Sequence, residues 1–403
     1  MEDRVPTIIT IRALIIVSVL LLSACSTSST LNKSSKNAQS IKSNVAKSTV
    51  AINLKSLGSI ASIAPELAKH KVVFVGESHT SYSDHLNQLA VIQNLHQRWG
   101  NRLSIGLEMI QQPYQPFLDK YISGSITERE MLKGAQWYSR WVYDFRLYRP
   151  IFDYAKKHRI PLVALNISKE LTRRITKVGI NGLSPAERKQ LPAVVDRSNK
   201  AYSKRLKDVF GGHMRTSSKG FEKFMDAQLA WDEGMAFNAT NYLKKHPSSN
   251  MVVLAGGGHV INREGIPDRL DRQNQSTSAV VLNSISTMLN STQGDYLLDS
   301  KEVKLAPAGL MGIFMDDTKK GLTVKKLSKE SAAKEAGVKT GDLIVSLNNQ
   351  VVRSVSDVKL WGLDKKPNDK AVIKVNRNGK IYQYRFQLKG PSKKSMHQLK
   401  PHK

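Results

Sequence analysis

The stretch that most constrains this chain is Lys71-Val72-Val73-Phe74-Val75-Gly76-Glu77-Ser78-His79-Thr80. Four successive β-branched or aromatic residues cannot alternate between a wet and a dry face. Both faces of such a strand must be covered, as in a parallel sheet flanked by helices. Gly76 is expected to let the backbone turn where the strand stops. Glu77 and His79 then fall at the carboxyl edge of the sheet, where open α/β sheets bind ligands.

Three further apolar runs end in the same way. Residues 103–107 lead to Glu108, residues 161–165 to Asn166, and residues 251–254 to Ala255-Gly256-Gly257-Gly258-His259. Glu77, His79, Glu108 and His259 are therefore expected to converge into one polar cluster. Two carboxylates and two imidazoles are competent to hold a divalent ion or to act as base and stabiliser, so a hydrolase stays open as an alternative reading. Neither a His-Glu-x-x-His zinc motif nor a Gly-x-Ser-x-Gly nucleophile elbow is present. The cluster is equally compatible with a structural network inside a non-catalytic scaffold.

The periodic segments between these runs organise the rest. Leu86, Leu89, Ile92 and Leu95 recur at helical spacing after the first strand, and a helix is expected at 147–157. Strand–helix alternation argues a doubly wound sheet. Residues 168–248 contain no good strand. They hold a helix start at Ser184-Pro185-Ala186-Glu187 and helical patterns at 194–210 and 219–245, an inserted helical subdomain. The sheet resumes at residues 251–254 and 279–283, and residues 286–304 read as a polar linker.

The chain is strongly basic, with 62 Lys and Arg against 33 Asp and Glu, a net charge of +29. Such an excess favours anionic partners such as headgroups or carboxylate-bearing ligands. No arginine-rich run or RNA-binding signature points to nucleic acid. Arg4 and Arg12 precede a short apolar run, the layout of a secretory signal, and Leu22-Ser23-Ala24-Cys25 follows. This resembles the bacterial lipobox, which implies cleavage after residue 24 and diacylation of the lone Cys25. Ser26 is not the aspartate associated with inner-membrane retention, so the resemblance implies a lipid anchor in the outer membrane. Residues 25–50 are rich in Ser, Lys, Asn and Thr and read as a tether.

Residues 305–390 contain Gly309-Leu310-Met311-Gly312-Ile313-Phe314, a small-residue turn at 331–337, Gly341-Asp342 before an apolar strand, and Arg377-Asn378-Gly379-Lys380 as a hairpin turn. In these features they resemble a PDZ domain of the bacterial protease-associated type. Peptide capture is expected at Gly309, Leu310, Met311, Gly312 and Ile313, between a strand at 312–315 and a helix at 355–363. The occupant would be an envelope protein's C-terminus added as a strand. Residues 391–403 form a basic tail.

Residues 51–285 contain Gly76-Glu77-Ser78-His79, Gly106-Leu107-Glu108-Met109, Tyr148-Arg149-Pro150-Ile151, Ala227-Gln228-Leu229-Ala230-Trp231-Asp232-Glu233-Gly234-Met235-Ala236 and Gly256-Gly257-Gly258-His259. In these motifs the domain resembles the ChaN-like haem-binding lipoproteins, which belong with TraB, the Tiki proteases and erythromycin esterase. The resemblance implies an α/β fold with a mainly parallel sheet, haem as cofactor, iron uptake or handling at the envelope, and no metal beyond the haem iron. It further implies a tyrosine on the iron, a histidine and a lysine on the propionates, and two protomers closing over stacked haems. It does not identify the tyrosine. Tyr202 is the first candidate because Lys200, Lys204, Arg205 and Lys207 surround it in sequence, and neighbouring cations favour a phenolate. His213 and Lys207 are its expected companions. Tyr148 is the alternative, with Tyr138 and Tyr143 behind it. The aromatic and Met-bearing segment 221–237 would suit a porphyrin wall or plain core, and Asp232 and Glu233 are expected at a helix surface or between domains.

Overall fold

A computed structural model describes residues 52–213, 218–274, 277–283 and 289–391. Cys25, the leader, the tether and the tail from residue 392 lie outside the described residues. Among those described, no helix is long and apolar enough to cross a membrane.

The first sheet has six strands: β1 (Val72–Glu77), β2 (Leu103–Gln111), β3 (Leu162–Asn166), β4 (Asn250–Gly256), β5 (Ser278–Asn283) and β6 (Tyr296–Leu298). Their order is β3-β2-β4-β1-β5-β6, and every pairing is parallel. The opening apolar run lies at the centre and is buried throughout. Val73 and Val75 face one hydrophobic core with Ile105, Leu107, Val252 and Leu254. Val72 and Phe74 face a second core with Met251, Val253 and Val280. Two dry faces are what the unbroken run demands.

Two details differ from expectation. Strand β1 does not stop at Gly76, which pairs with Ala255 and Leu282, and Glu77 pairs with Gly256. Gly76 is there for close approach instead: a Cβ would come within 2.8 Å of Val260 Cγ2 and 3.2 Å of Gly257 Cα. The region expected as a linker supplies β6, whose Tyr296 and Leu297 pair with Val281 and Leu282. The first domain therefore extends past residue 285.

Helices Ile60–Leu67, Tyr82–Trp99 and Arg149–Lys157 flank the sheet. The last of these begins two residues later than expected. Ser81 caps the second, accepting the Asp84 amide. Between β3 and β4 come helices Lys169–Val178, Pro185–Arg188, Lys200–His213 and Ser218–Lys245 and no described strand. Ser184 and Glu187 form a capping box at the second. Residues 194–199, expected as helix, are not helical; the helix begins at Lys200.

The second sheet is antiparallel, in the order β12-β11-β9-β8-β7, with β10 beside β9. Its strands are β7 (Ile313–Thr318), β8 (Gly321–Leu327), β9 (Leu343–Leu347), β10 (Gln350–Val351), β11 (Lys370–Arg377) and β12 (Lys380–Gln387). Asn378 and Gly379 both take positive φ, 52° and 85°, as an Asn-Gly hairpin turn requires. The buried Asp342 carboxylate takes Arg377 Nε at 2.7 Å. Helix Val355–Gly362 packs both ways: Val358 and Trp361 belong to the core of this sheet, Leu360 and the following Leu363 to the first domain's core.

Candidate functional site

The carboxyl edge of the parallel sheet gathers all four residues of the expected cluster. Glu77, at the end of β1, is buried, and its Oε1 lies 2.5 Å from His79 Nδ1. Its Oε2 makes no hydrogen bond among the described residues and is 4.0 Å from His85 Nε2. Glu108 follows Leu107, the last residue of β2 paired with β4, and its Oε2 accepts the Gly256 amide at 2.6 Å. Its Oε1 is 3.5 Å from His259 Nε2. His79 sits above Gly256, where a Cβ would come within 2.9 Å of the imidazole. Gly256, the last residue of β4, is thus what lets His79 approach the sheet edge.

Asp232, from the long helix Ser218–Lys245, completes the arrangement. It is buried rather than placed at a helix surface; Oδ1 meets His259 Nδ1 at 2.5 Å and Oδ2 accepts the Tyr202 hydroxyl at 2.6 Å. A continuous path therefore runs Tyr202–Asp232–His259–Glu108. Glu233, also buried, accepts the Asp196 amide and lies 3.4 Å from Arg269 Nε.

Charge follows from this geometry. Burial alone pulls the His259 imidazole down, but the Asp232 and Glu108 carboxylates outweigh it and push the pKa up to about 9. His79 is likewise drawn down by burial and raised on balance by its bond to Glu77 and the charges of Glu77 and Glu108. Among the described residues, no group of three or more His, Cys, Asp or Glu side chains is placed to hold a metal ion.

The open side of His79 is aromatic. Its ring lies 4.7 Å from Trp141 and 5.0 Å from Tyr143, centre to centre. All three are half-buried, unlike the carboxylates beneath them. Trp141 and Tyr143 come from an irregular aromatic segment with no period to mark them. Asp232, Trp141 and Tyr143 are the residues that sequence reasoning missed or underweighted. For Asp232 the signal was present, in the Trp231-Asp232-Glu233-Gly234 motif.

The structure buries the first tyrosine candidate. Tyr202 is 1% exposed, with its hydroxyl committed to Asp232. Burial and the Asp232 charge drive its pKa far up, against the smaller opposing pull of Arg269 and Arg205. The lysines beside it in sequence do not help: Lys200, Lys204 and Lys207 are exposed on the outer side of the helix. Lys207 therefore shares no face with Tyr202, and the His213 side chain lies outside the described residues. Tyr148 is also fully buried, donating to the His79 carbonyl at 3.3 Å, and burial raises its pKa well above normal. In segment 221–237, Met225, Met235 and Ala236 are core residues, and Trp231 donates to Thr172 Oγ1.

The PDZ groove is the second site. A cavity of about 600 Å³ lies between the loop 308–312, strand β7 and helix Val355–Gly362. Strand β7 is at the sheet edge, so its outer backbone groups are open to an added strand. Not all of the expected loop is free. The Gly309 and Leu310 amides already donate to Lys365 and Lys389 carbonyls, each at 2.8 Å. Those of Met311 and Gly312 donate to nothing among the described residues. Gly312 is needed for its φ of +76° and because a Cβ would meet Ser331 Cα at 2.6 Å. Leu310 and Phe314 are exposed apolar side chains, and Ile313 is half-buried against the core.

A profile of the family described as haem-binding uptake, Tiki superfamily, ChaN matches residues 63–270, and a PDZ domain profile matches residues 309–388. Among curated proteins, the chain is similar to the serine protease Do-like HtrB of Bacillus subtilis (strain 168), 41% identical over 71 residues. That match covers 17% of this chain and 16% of the protease. It is also similar to the periplasmic pH-dependent serine endoprotease DegQ of Escherichia coli (strain K12), 26% identical over 180 residues, covering 42% of this chain and 35% of DegQ. The chain thus spans a small part of the length of the curated relatives it matches. A solved structure titled for cofacial haem binding to ChaN of Campylobacter jejuni shares 20% identity over 60% of this chain and 91% of that one, with a TM-score of 0.49.

Proposed function

We propose, from the premise that the chain belongs to the ChaN family of haem-binding uptake proteins within the Tiki superfamily, that haem binds at the carboxyl edge of the parallel sheet, over His79, Trp141 and Tyr143. The observation that carries this reading is the pairing of His79 Nδ1 with the buried Glu77 carboxylate, 2.5 Å away, beneath two half-buried aromatic rings. A carboxylate behind one ring nitrogen is the usual support of an imidazole whose other nitrogen faces a metal. The flat rings suit a porphyrin, and Tyr143 offers the hard oxygen that ferric iron accepts.

Tyr143 takes the role first considered for Tyr202, because its side chain reaches the basin and its hydroxyl is not sealed in the core. Burial and the Glu77 and Glu108 charges raise its pKa, so an isolated phenolate is disfavoured there. Ferric iron is the cation that reverses that preference. The Asp232 and Glu108 carboxylates push the His259 pKa up to about 9, which suits a protonated imidazole to face haem propionates.

In this reading the protein is an envelope lipoprotein held in the outer membrane through Cys25, with haem uptake or handling as its task and a second protomer able to cover the open basin. Its PDZ groove takes a partner's C-terminal carboxylate on the Met311 and Gly312 amides, with the partner's backbone added to β7.

Haemin titrated into the full chain should produce a saturable Soret band with the visible bands of an oxygen-ligated ferric haem. Tyr143→Phe should abolish those bands, whereas Tyr202→Phe should keep them. No Soret change with the wild-type protein overturns haem binding. Retention of the bands in Tyr143→Phe removes that residue from the iron.

A further inference from the structure

One short segment of the first domain serves both sites. Residues 137–148 run from helix Trp137–Arg140 to the start of helix Arg149–Lys157. Trp141 and Tyr143 face His79. Tyr138, Asp144 and Arg146, interleaved with them, line the PDZ groove. The groove is therefore composite: its far wall comes from the haem-binding domain, not from the PDZ domain alone. Lys359 of the groove helix stands over the Tyr138 ring at 5.9 Å, and Arg146 donates to the Ala306 carbonyl at 3.1 Å.

The segment is tied to itself. Trp137 Nε1 donates to the Tyr143 carbonyl at 2.8 Å, and the amides of Trp141 and Val142 both return to the Trp137 carbonyl. The Asp144 carboxylate accepts the Arg146 amide at 3.0 Å. At the bend sits Val142, a β-branched residue with φ of +70° and an exposed side chain. Such a backbone conformation is costly for valine, and it persists only where surrounding contacts enforce it. The helix wall opposite is held to the same domain: Arg129 and Arg149 both meet Asp364, at 2.7 and 2.8 Å.

We propose that the sheet-edge site and the composite peptide groove are linked through residues 137–148, so that haem bound over Trp141 and Tyr143 tightens capture of a peptide C-terminus. This inference rests on the haem and peptide readings above. A ligand packed on Trp141 and Tyr143 fixes the bend and with it the placement of Tyr138, Asp144 and Arg146. The peptide then meets a wall already ordered, and it loses less conformational freedom on binding. Linkage is reciprocal, so the peptide must tighten haem by the same factor.

The experiment uses the full chain, haemin, and a fluorescein-labelled decapeptide with a free carboxylate and Trp-Val as its last two residues. Peptide affinity is read by anisotropy with and without saturating haemin, and haemin affinity by Soret absorbance with and without saturating peptide. The expected result is a peptide Kd lower by about fivefold or more with haemin, and the same factor in the reverse titration. Val142→Gly relaxes the bend without altering the groove lining. It should bring the factor close to one while each separate Kd stays within about twofold. Two ligands that bind but do so independently, or a Kd raised by haemin, overturn the linkage alone. Failure of haemin to give a Soret band, or of the peptide to bind without haemin and with it, overturns the reading beneath and the linkage with it.

Discussion

Asp232 holds two partners at once, and its charge governs the protonation of the site. With Glu108 on the other ring nitrogen and Arg205 opposing more weakly, it raises His259 to about 9. Asp232→Asn should lower that pKa towards the ordinary value near 6.5, and histidine Hε1 chemical shifts followed against pH read it directly. An unchanged titration would show that Glu108 alone sets it. The same shift predicts a pH dependence of stability. A group whose pKa is higher folded than unfolded stabilises fully below its unfolded value, and loses that contribution as pH rises through the folded one. Urea unfolding free energy should therefore fall between about pH 6.5 and 9 in the wild type, and fall less across that window in Asp232→Asn. Parallel profiles for the two proteins would contradict the assignment.

Strand β1 and the loop after β4 are locked by Gly76, which permits an approach no side chain would tolerate. Gly76→Ala places a methyl 2.8 Å from Val260 Cγ2, so it should cost about 1–3 kcal/mol in urea unfolding and displace the loop that carries His259. A stable variant with an unmoved His259 titration would show that Val260 yields freely. Elements of this kind divide by how legible they were. Apolar runs marked β1, β3, β4 and β5, because burial on both faces favours that composition, and β2 was legible despite its buried Ser104 and Gly106. The polar residue after each run marked the site edge. β6 was hidden, since three residues on the sheet's rim need no apolar run. The burial of Tyr202 was not legible either: Lys200, Lys204 and Lys207 lie on the exposed side of its helix while Arg205 stands over its ring at 5.4 Å, and only packing tells which face turns inward. Trp141 and Tyr143 follow no period at all, and a bend at positive φ aims them.

At the scale of the whole molecule, the two domains share a hydrophobic seam. Leu360 and Leu363 leave the PDZ helix to enter the first domain's core, while the Arg129 and Arg149 pairs with Asp364 sit at its rim. Buried apolar contact should dominate over half-exposed ion pairs. Leu363→Ala is expected to cost about 2–5 kcal/mol, whereas Asp364→Ala costs about 1 kcal/mol or less. Differential scanning calorimetry checks this: in Leu363→Ala the PDZ transition should separate from that of the first domain. One merged transition in that variant, with an unshifted midpoint, would show that the seam contributes little.

The strand order has a consequence for how the chain is made. β1 is the first strand of its sheet to leave the ribosome, yet both its neighbours, β4 and β5, begin only at Asn250 and Ser278. For some 170 residues of synthesis, an apolar strand lacks either of the edges it will pair with. Such long-range closure is slow, and an unpaired strand is prone to join another chain. A nascent or truncated protein ending before β4 should therefore depend on a holding chaperone to stay in solution.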